Sequence, residues 1–258
     1  MGQQAADEPA LPAVCVLAGG LGTRLGGLTT RQPKPLLEVA GKPFLRHQLA
    51  LLSEHGFTRV VLCVGYLGEQ IEAAIGTSCE GLAVQYSYDA PGLDGTLGAV
   101  RRAAPLLGER FLILYGDTYL LIDYQAVTRD WIASGEPALM TVLHNHGELE
   151  RSNAEYAAGR VVAYDKFAPT PEMEWIDYGL GGLTTGVLDL VPEDERDLAS
   201  LYHALAAAGR LHGYPAERRF FEIGTPGTLR ETEQFLLHRS GAPDGPGPAD
   251  ARPGGSRR

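Results

Sequence analysis

The segment Leu17-Ala18-Gly19-Gly20-Leu21-Gly22-Thr23-Arg24-Leu25 sets three glycines and a cation directly after a short apolar run, Ala13–Leu17. Glycine tolerates positive φ and has no Cβ, so such a loop lets successive backbone N–H groups close on an anion. The same composition also suits a purely structural turn. Its spacing matches neither the dinucleotide fingerprint nor a P-loop with a Gly-Lys-Ser/Thr ending. It continues through Gly26-Gly27 and Thr29-Thr30 to Pro33-Lys34-Pro35 instead of passing straight into a helix. From Leu21 to Lys42 the charges are Arg24, Arg31, Lys34 and Lys42 against Glu38, in a chain whose net charge is −10. A local cationic surplus in an otherwise acidic chain fits a compact polyanion, such as a triphosphate, better than a long nucleic acid.

The elements that must position this loop follow from pattern. The chain has 258 residues, 44% of them hydrophobic and 21% charged, enough apolar material for a core. No apolar run reaches the roughly 18–20 residues of a transmembrane helix. Strand candidates are Ala13–Leu17, Arg59–Val64, Ala83–Tyr88, Phe111–Tyr115, Ala138–Leu143, Arg160–Tyr164, Leu183–Leu188 and Arg219–Ile223. Helix candidates are Pro43–Glu54, Gly68–Ile75, Thr96–Leu107, Tyr124–Ser134, Asp194–Ala208 and Pro226–His238. Leu45, Leu49 and Leu52 share one face of the first helix, the spacing of a sheet-packed helix. Strands alternating with helices predict an α/β fold, a mostly parallel sheet with helices on both faces. Residues 153–164 break the rhythm and read as an inserted hairpin, with Ala157-Ala158-Gly159-Arg160 between two short extended runs.

The organisation expected is a disordered N-terminus over 1–11, one folded domain over 12–240, and a Gly/Pro-rich disordered tail over 241–258. Cys15 and Cys63 lie inside apolar runs and read as reduced core residues, not as a disulfide or metal framework. The N-terminus shows no basic segment followed by an apolar stretch, so a cytoplasmic protein without signal peptide or membrane partner is expected. His144-Asn145-His146 offers two imidazoles on one strand face, but no further Cys or His lies near. A surface strand end is the simpler reading.

The loop Leu17–Leu25, then Pro33-Lys34-Pro35-Leu36-Leu37, then Gly41-Lys42-Pro43-Phe44-Leu45 together resemble the signature of sugar-1-phosphate nucleotidyltransferases. The resemblance runs over about residues 13–238. It implies a nucleotide-diphospho-sugar transferase fold, a Rossmann-like mixed sheet with a small hairpin inserted over the sugar site. It also implies Mg²⁺ as cofactor and an NTP and a sugar 1-phosphate as substrates. Nucleic acid is not expected as a partner, and a homo-oligomer is left open.

By this resemblance Leu17, Ala18, Gly19, Gly20, Gly22 and Thr23 hold the nucleotide, Arg24 grips the triphosphate, and Lys34 contacts the α-phosphate region. Gly95 and Thr96 fall in the base-pocket loop after the third strand, where Asp94 replaces the family's usual leucine. Asp117 closes the run Phe111-Leu112-Ile113-Leu114-Tyr115-Gly116-Asp117, where the family binds Mg²⁺; a helix N-cap is the alternative role for such an Asp. Glu222, in Glu222-Ile223-Gly224-Thr225-Pro226, stands where the family carries Asp, one methylene shorter. Lys166 would bind the sugar phosphate and Asp165 the sugar hydroxyls. Tyr178 and Gly179 belong to Asp177-Tyr178-Gly179-Leu180-Gly181-Gly182, at the place of a small-residue sugar loop whose usual Asn-Ala-Gly wording is absent. An unusual sugar or a sugar-like cyclitol is the expectation.

Gly41–Leu45 and Val64-Gly65-Tyr66-Leu67-Gly68-Glu69 resemble the heptose-1-phosphate guanylyltransferase branch, which points to GTP. Guanine offers N1–H and an N2 amine on one edge, and Asp89 at the end of the third strand could accept from both. A solvated turn is the alternative role for Asp89. A dTTP- or UTP-using hexose-1-phosphate enzyme is the rival reading, as is a non-catalytic nucleotide sensor. Loss of Arg24, Lys34 or Asp117 would mark the sensor, and all three are present. A nicotinamide dehydrogenase fits poorly, because Pro33-Lys34-Pro35 and Gly-Thr-Arg do not suit a pyrophosphate-binding helix start.

Overall fold

The computed structural model describes residues 10–90, 94–147, 149 and 151–241. Expectations for 1–9, for the Pro91-Gly92-Leu93 part of the base-pocket loop and for 242–258 lie outside the described residues. Fourteen strands occur among the described residues. In chain order they are β1 (Ala13–Leu17), β2 (Glu38–Val39), β3 (Lys42–Pro43), β4 (Arg59–Val64), β5 (Ser78–Cys79), β6 (Leu82–Tyr88) and β7 (Arg110–Tyr115). There follow β8 (Thr118–Tyr119), β9 (Ala138–His144), β10 (Ala154–Ala157), β11 (Arg160–Tyr164), β12 (Trp175–Thr184), β13 (Leu211–Ala216) and β14 (Phe221–Glu222). The helices are α1 (Phe44–Glu54), α2 (Gly68–Ile75), α3 (Gly95–Leu107), α4 (Tyr124–Ser134), α5 (Leu198–Ala207) and α6 (Pro226–Gly241).

The main sheet has the order β10-β11-β13-β9-β12-β7-β1-β4-β6-β5. β1 pairs in parallel with β4 and β7, and β4 with β6, while β12 runs antiparallel between β7 and β9. β1 is central and covered on both faces, which is why its sequence is continuously apolar. Val14 and Val16 enter one core with α1, α2 and α4; Ala13 and Cys15 enter the other with α3 and α5. The expected α/β architecture with helices on both faces is therefore observed, but the sheet is mixed and not mostly parallel. Only β1–β4, β1–β7, β4–β6 and β9–β13 pair in parallel, because β12 enters antiparallel between β7 and β9, and β5 and the β10–β11 hairpin close the two ends antiparallel. Cys15 and Cys63 are buried thiols, their sulfurs 3.4 Å apart across β1 and β4.

Several segments differ from expectation. Asp177–Gly182 is not a loop but the middle of strand β12, with a register irregularity between Asp177 and Gly181. Its glycines are required by neighbours: a Cβ on Gly181 would meet the Tyr202 hydroxyl, and one on Gly182 would stand 2.7 Å from the Trp131 ring. β13 was not predicted, because Gly213 and Pro215 weaken its strand pattern; Gly213 is needed where the Tyr156 ring packs, 2.7 Å from a would-be Cβ. The expected strand Arg219–Ile223 shrinks to Phe221–Glu222, which pairs with β8 outside the main sheet. The fifth helix starts at Leu198, not Asp194, because Asp197 caps it by accepting from Ala199 N. The predicted hairpin is present as β10–β11, turning at Ala158 and Gly159, both at positive φ.

Candidate active site

The loop after β1 is held by backbone contacts at its base. Ala18 N donates to Cys63 O at 2.8 Å, and Gly116 N donates to Leu17 O at 2.9 Å. A Cβ on Gly19 would stand 2.9 Å from the Asp89 carboxylate and 3.1 Å from Gly65 N, so only glycine permits this close approach. Gly22 has φ +65 and is packed against Thr29, whose hydroxyl donates to Gly22 O at 3.0 Å. The chain then makes a 3-10 turn over Thr23–Thr29, and a second over Lys34–Leu36 that buries Lys34.

A cleft of about 270 Å³ lies at the carboxyl ends of β1 and β7. Leu17, Ala18, Gly19, Gly20 and Gly22 line it, together with Lys34, Asp89, Gly95 and Thr96. Thr23 is not among its lining residues. A second cleft, of about 540 Å³, is lined by Arg24, Lys166, Asp177, Tyr178, Gly179 and Glu222, among others. The two clefts share Tyr115 and Asp117. Residues from the glycine loop, from β7, from the hairpin side and from the C-terminal region therefore converge on one carboxylate.

Asp117 does not cap a helix; that role before α4 belongs to Asp123. It ends the turn after β7, and Lys34 Nζ stands 2.6 Å from its Oδ2, with the lysine side chain 10% exposed. Pairing of β14 with β8 brings Glu222 opposite Thr118, and Ile223 N donates to Asp117 O at 3.0 Å. A Cβ on Gly224 would lie 3.0 Å from both Glu222 oxygens, so glycine makes room for that carboxylate. Two neighbouring carboxylates, with water completing the shell, are what Mg²⁺ ordinarily takes. The residues present fit such an ion, although no group of three or more His, Cys, Asp or Glu arranged for a metal occurs among the described residues.

In the second cleft, Lys166 Nζ contacts Asp197 Oδ2 at 2.9 Å. Burial alone would raise Asp197, but hydrogen bonds from Ala199 N–H and Lys166 outweigh it and hold the carboxyl low. Asp197 also accepts from the Thr96 hydroxyl at 3.4 Å, which links the two clefts. Asp165 does not line the second cleft. Its Oδ1 accepts from Phe167 N and Ala168 N, both at 2.8 Å, and those bonds lower its pKa. Tyr178 is 1% exposed and its hydroxyl accepts from Leu121 N, so this ring is built into the core at the cleft wall. Asp177 accepts from Gly179 N at 2.9 Å; burial pushes its pKa up to about 6, against that bond and the Lys166 charge. Asp89 is likewise pushed up to about 6, by burial and by the Asp94 charge, with Arg102 opposing.

Sequence reading missed Asp197, Tyr115 and Gln48. Gln48 left a signal, being a polar residue inside the apolar stripe of Leu45, Leu49 and Leu52. Asp197 before Leu198-Ala199 carried an ordinary cap signal, obscured by acids upstream. Trp131 is a core residue, and the His144 and His146 rings meet at the end of β9 with centroids 4.0 Å apart and planes tilted by 53°.

A family model described as Nucleotidyl transferase matches residues 13–153. The chain is 43% identical over 113 residues to the N-acetylmuramate alpha-1-phosphate uridylyltransferase of Neisseria meningitidis serogroup B, a stretch covering 43% of this chain and 49% of that protein. The chain thus spans about half the length of that relative. It is 27% identical over 227 residues to the D-glycero-alpha-D-manno-heptose 1-phosphate guanylyltransferase of Aneurinibacillus thermoaerophilus, covering 86% and 97% of the two chains. Among solved structures, HddC from Yersinia pseudotuberculosis complexed with GMP-PN aligns with a TM-score of 0.70 at 21% identity, over 88% of this chain and 100% of that one. No helix among the described residues is long and apolar enough to cross a membrane.

Proposed function

The chain belongs to the nucleotidyl transferase family, and we propose that it couples a sugar 1-phosphate, or a sugar-like cyclitol phosphate, to GTP. The observation that carries this reading is the pair of clefts meeting at Asp117. One has a glycine-loop wall suited to a triphosphate, and the other holds Lys166, suited to a phosphate monoester, with Arg24 also on its lining. An oxygen of the sugar phosphate attacks the α-phosphorus in line, forming a P–O bond as the bond to the β-phosphate oxygen breaks. The products are the NDP-sugar and pyrophosphate. The attacking oxygen is already ionised at neutral pH, so no general base is required. Catalysis then rests on positioning and charge stabilisation. Lys34 neutralises charge near the α-phosphate, Arg24 the departing pyrophosphate, and Lys166 holds the acceptor phosphate. Asp117 and Glu222 would hold Mg²⁺, which when bound neutralises phosphate charge.

Pyrophosphate release tests the reading directly. The protein is mixed with Mg²⁺, each of the common NTPs and a panel of hexose, heptose and cyclitol phosphates. Release with no combination would leave a nucleotide-binding relative without catalysis. A uridylyl reading is the alternative, favoured by the 43% identity to the uridylyltransferase. A UTP preference in the panel would select it.

Base choice is assigned to Asp89, whose carboxylate can accept from guanine N1–H and N2. Asp89→Ala should raise the KM for GTP and relax discrimination against ATP by about 1–3 kcal/mol, the order of the cost of leaving a polar group unpaired once the base covers this half-buried carboxylate. Because its pKa is about 6, the carboxylate is the accepting form above that pH. The KM for GTP should therefore rise as pH falls through about 6, and the Asp89→Asn variant should lose that inflection. A flat wild-type profile removes Asp89 from base recognition.

Glu222→Asp should retain activity, since a carboxylate remains on β14 and Gly224 leaves space around it. Glu222→Ala should lose Mg²⁺-dependent turnover. An inactive Asp variant beside an active Ala variant contradicts the two-carboxylate site.

A further inference from the structure

Gln48 lies on α1 between Leu45 and Leu52, within the face that packs on the sheet, and is 1% exposed. Its Nε2 donates to Tyr115 O at 2.8 Å and to Thr118 O at 2.6 Å. Those carbonyls bracket Gly116-Asp117, the turn that presents the carboxylate common to both clefts. Both amide hydrogens are engaged by this one turn. The reverse orientation of the amide would set Oε1 against two carbonyl oxygens, so the chemistry fixes the assignment.

Gln48 Oε1, in contrast, is buried with no partner among the described residues. A buried acceptor left unmet opposes folding, so this amide is not accounted for by packing in a leucine stripe. Its two donors are what it contributes. Other contacts tie the same turn elsewhere: Gly116 N to Leu17 O, and Asp117 O to Ile223 N. Those join the turn to the glycine loop and to the strand of Glu222. Gln48 holds its two ends from beneath, through α1, and lines neither cleft.

We infer that Gln48 is a positioning residue for the divalent ion: it clamps the Tyr115–Thr118 turn and thereby fixes the aim of the Asp117 carboxylate. The inference rests on the reading that Asp117 holds that ion. Partners that orient a metal ligand without touching the metal typically contribute about 10–100-fold to metal affinity, and an effect of that size is expected here.

The test is Mn²⁺ binding, read from the loss of the free-ion electron paramagnetic resonance signal with Mn²⁺ alone. Gln48→Met keeps length and burial without donors. Gln48→Glu keeps shape but sets oxygens against the two carbonyls. Both should bind Mn²⁺ more weakly, and kcat should fall further than the KM for nucleotide rises. Wild-type protein supplies a measurement independent of how the variants fold. The Gln48 side-chain amide resonances should exchange slowly with water and shift when Mg²⁺ is added. Wild-type Mn²⁺ affinity in a folded variant overturns the inference, as do amide resonances that Mg²⁺ leaves unmoved. Asp117→Asn separates the two levels. If it retains Mn²⁺ binding, the metal reading of Asp117 fails. If it loses the ion while the Gln48 variants keep it, only the role of Gln48 falls.

Discussion

Asp117→Asn is expected to reduce turnover by roughly 10³. Several kcal/mol of transition-state charge stabilisation depend on a bound metal, and each 1.4 kcal/mol or so is a factor of ten. Asparagine keeps the size of the side chain and can still accept from Lys34 Nζ, 2.6 Å away in the native protein. What it loses is the charge. The substitution therefore separates metal binding from the geometry of the turn, which is held by Gln48 and by backbone bonds to Leu17 and Ile223. Pyrophosphate release is measured across a range of Mg²⁺ and Mn²⁺ concentrations, with thermal melting as a check on folding. Turnover within about tenfold of the native enzyme in a folded variant would remove Asp117 from the centre of the site.

Arg24→Ala is expected to lower kcat by about 10²–10³, or about 3–4 kcal/mol, the usual loss when one preorganised donor to developing charge is deleted. Arg24 lies on the 3-10 turn that follows the glycine loop and lines the second cleft beside Asp117 and Glu222. It is a residue of a surface turn, not of either core, so its removal should leave the melting temperature almost unchanged. The KM for the nucleotide should change less than kcat if Arg24 acts mainly on the departing pyrophosphate. Equal loss in both parameters would instead indicate a role in ground-state binding. Native turnover in a folded variant would contradict any phosphate role.

Arg24 also shows how far the sequence reaches. Its loop was legible because a local cationic surplus and two further motifs follow the glycines in the family's order, but which cleft its side chain enters was not. Lys166 was legible only through resemblance. Its partner Asp197 lies beyond β12, and their contact depends on how α5 docks against β11.

The amino-acid sequence by itself determined the elements whose reasons are local. β1 is a buried strand because Val14-Cys15-Val16 leaves no polar face for water, and α1 is a sheet-packed helix because Leu45, Leu49 and Leu52 recur at helical spacing. The glycine loop followed, since backbone freedom and local charge are properties of the residues themselves. Tertiary structure alone decided the rest. Asp177–Gly182 became strand because Tyr202 and Trp131 press where side chains would otherwise stand, a constraint carried by distant residues. Glu222 came opposite Thr118, the residue after Asp117, through pairing of two strands of only two residues each, too short to declare themselves by periodicity. Gln48, a polar residue in an apolar stripe, acquired its use only when folding placed two carbonyls of the Asp117 turn within reach of its amide. Local propensity is written in neighbouring residues, whereas a site assembled from separate strands and helices exists only once the sheet has set their distances.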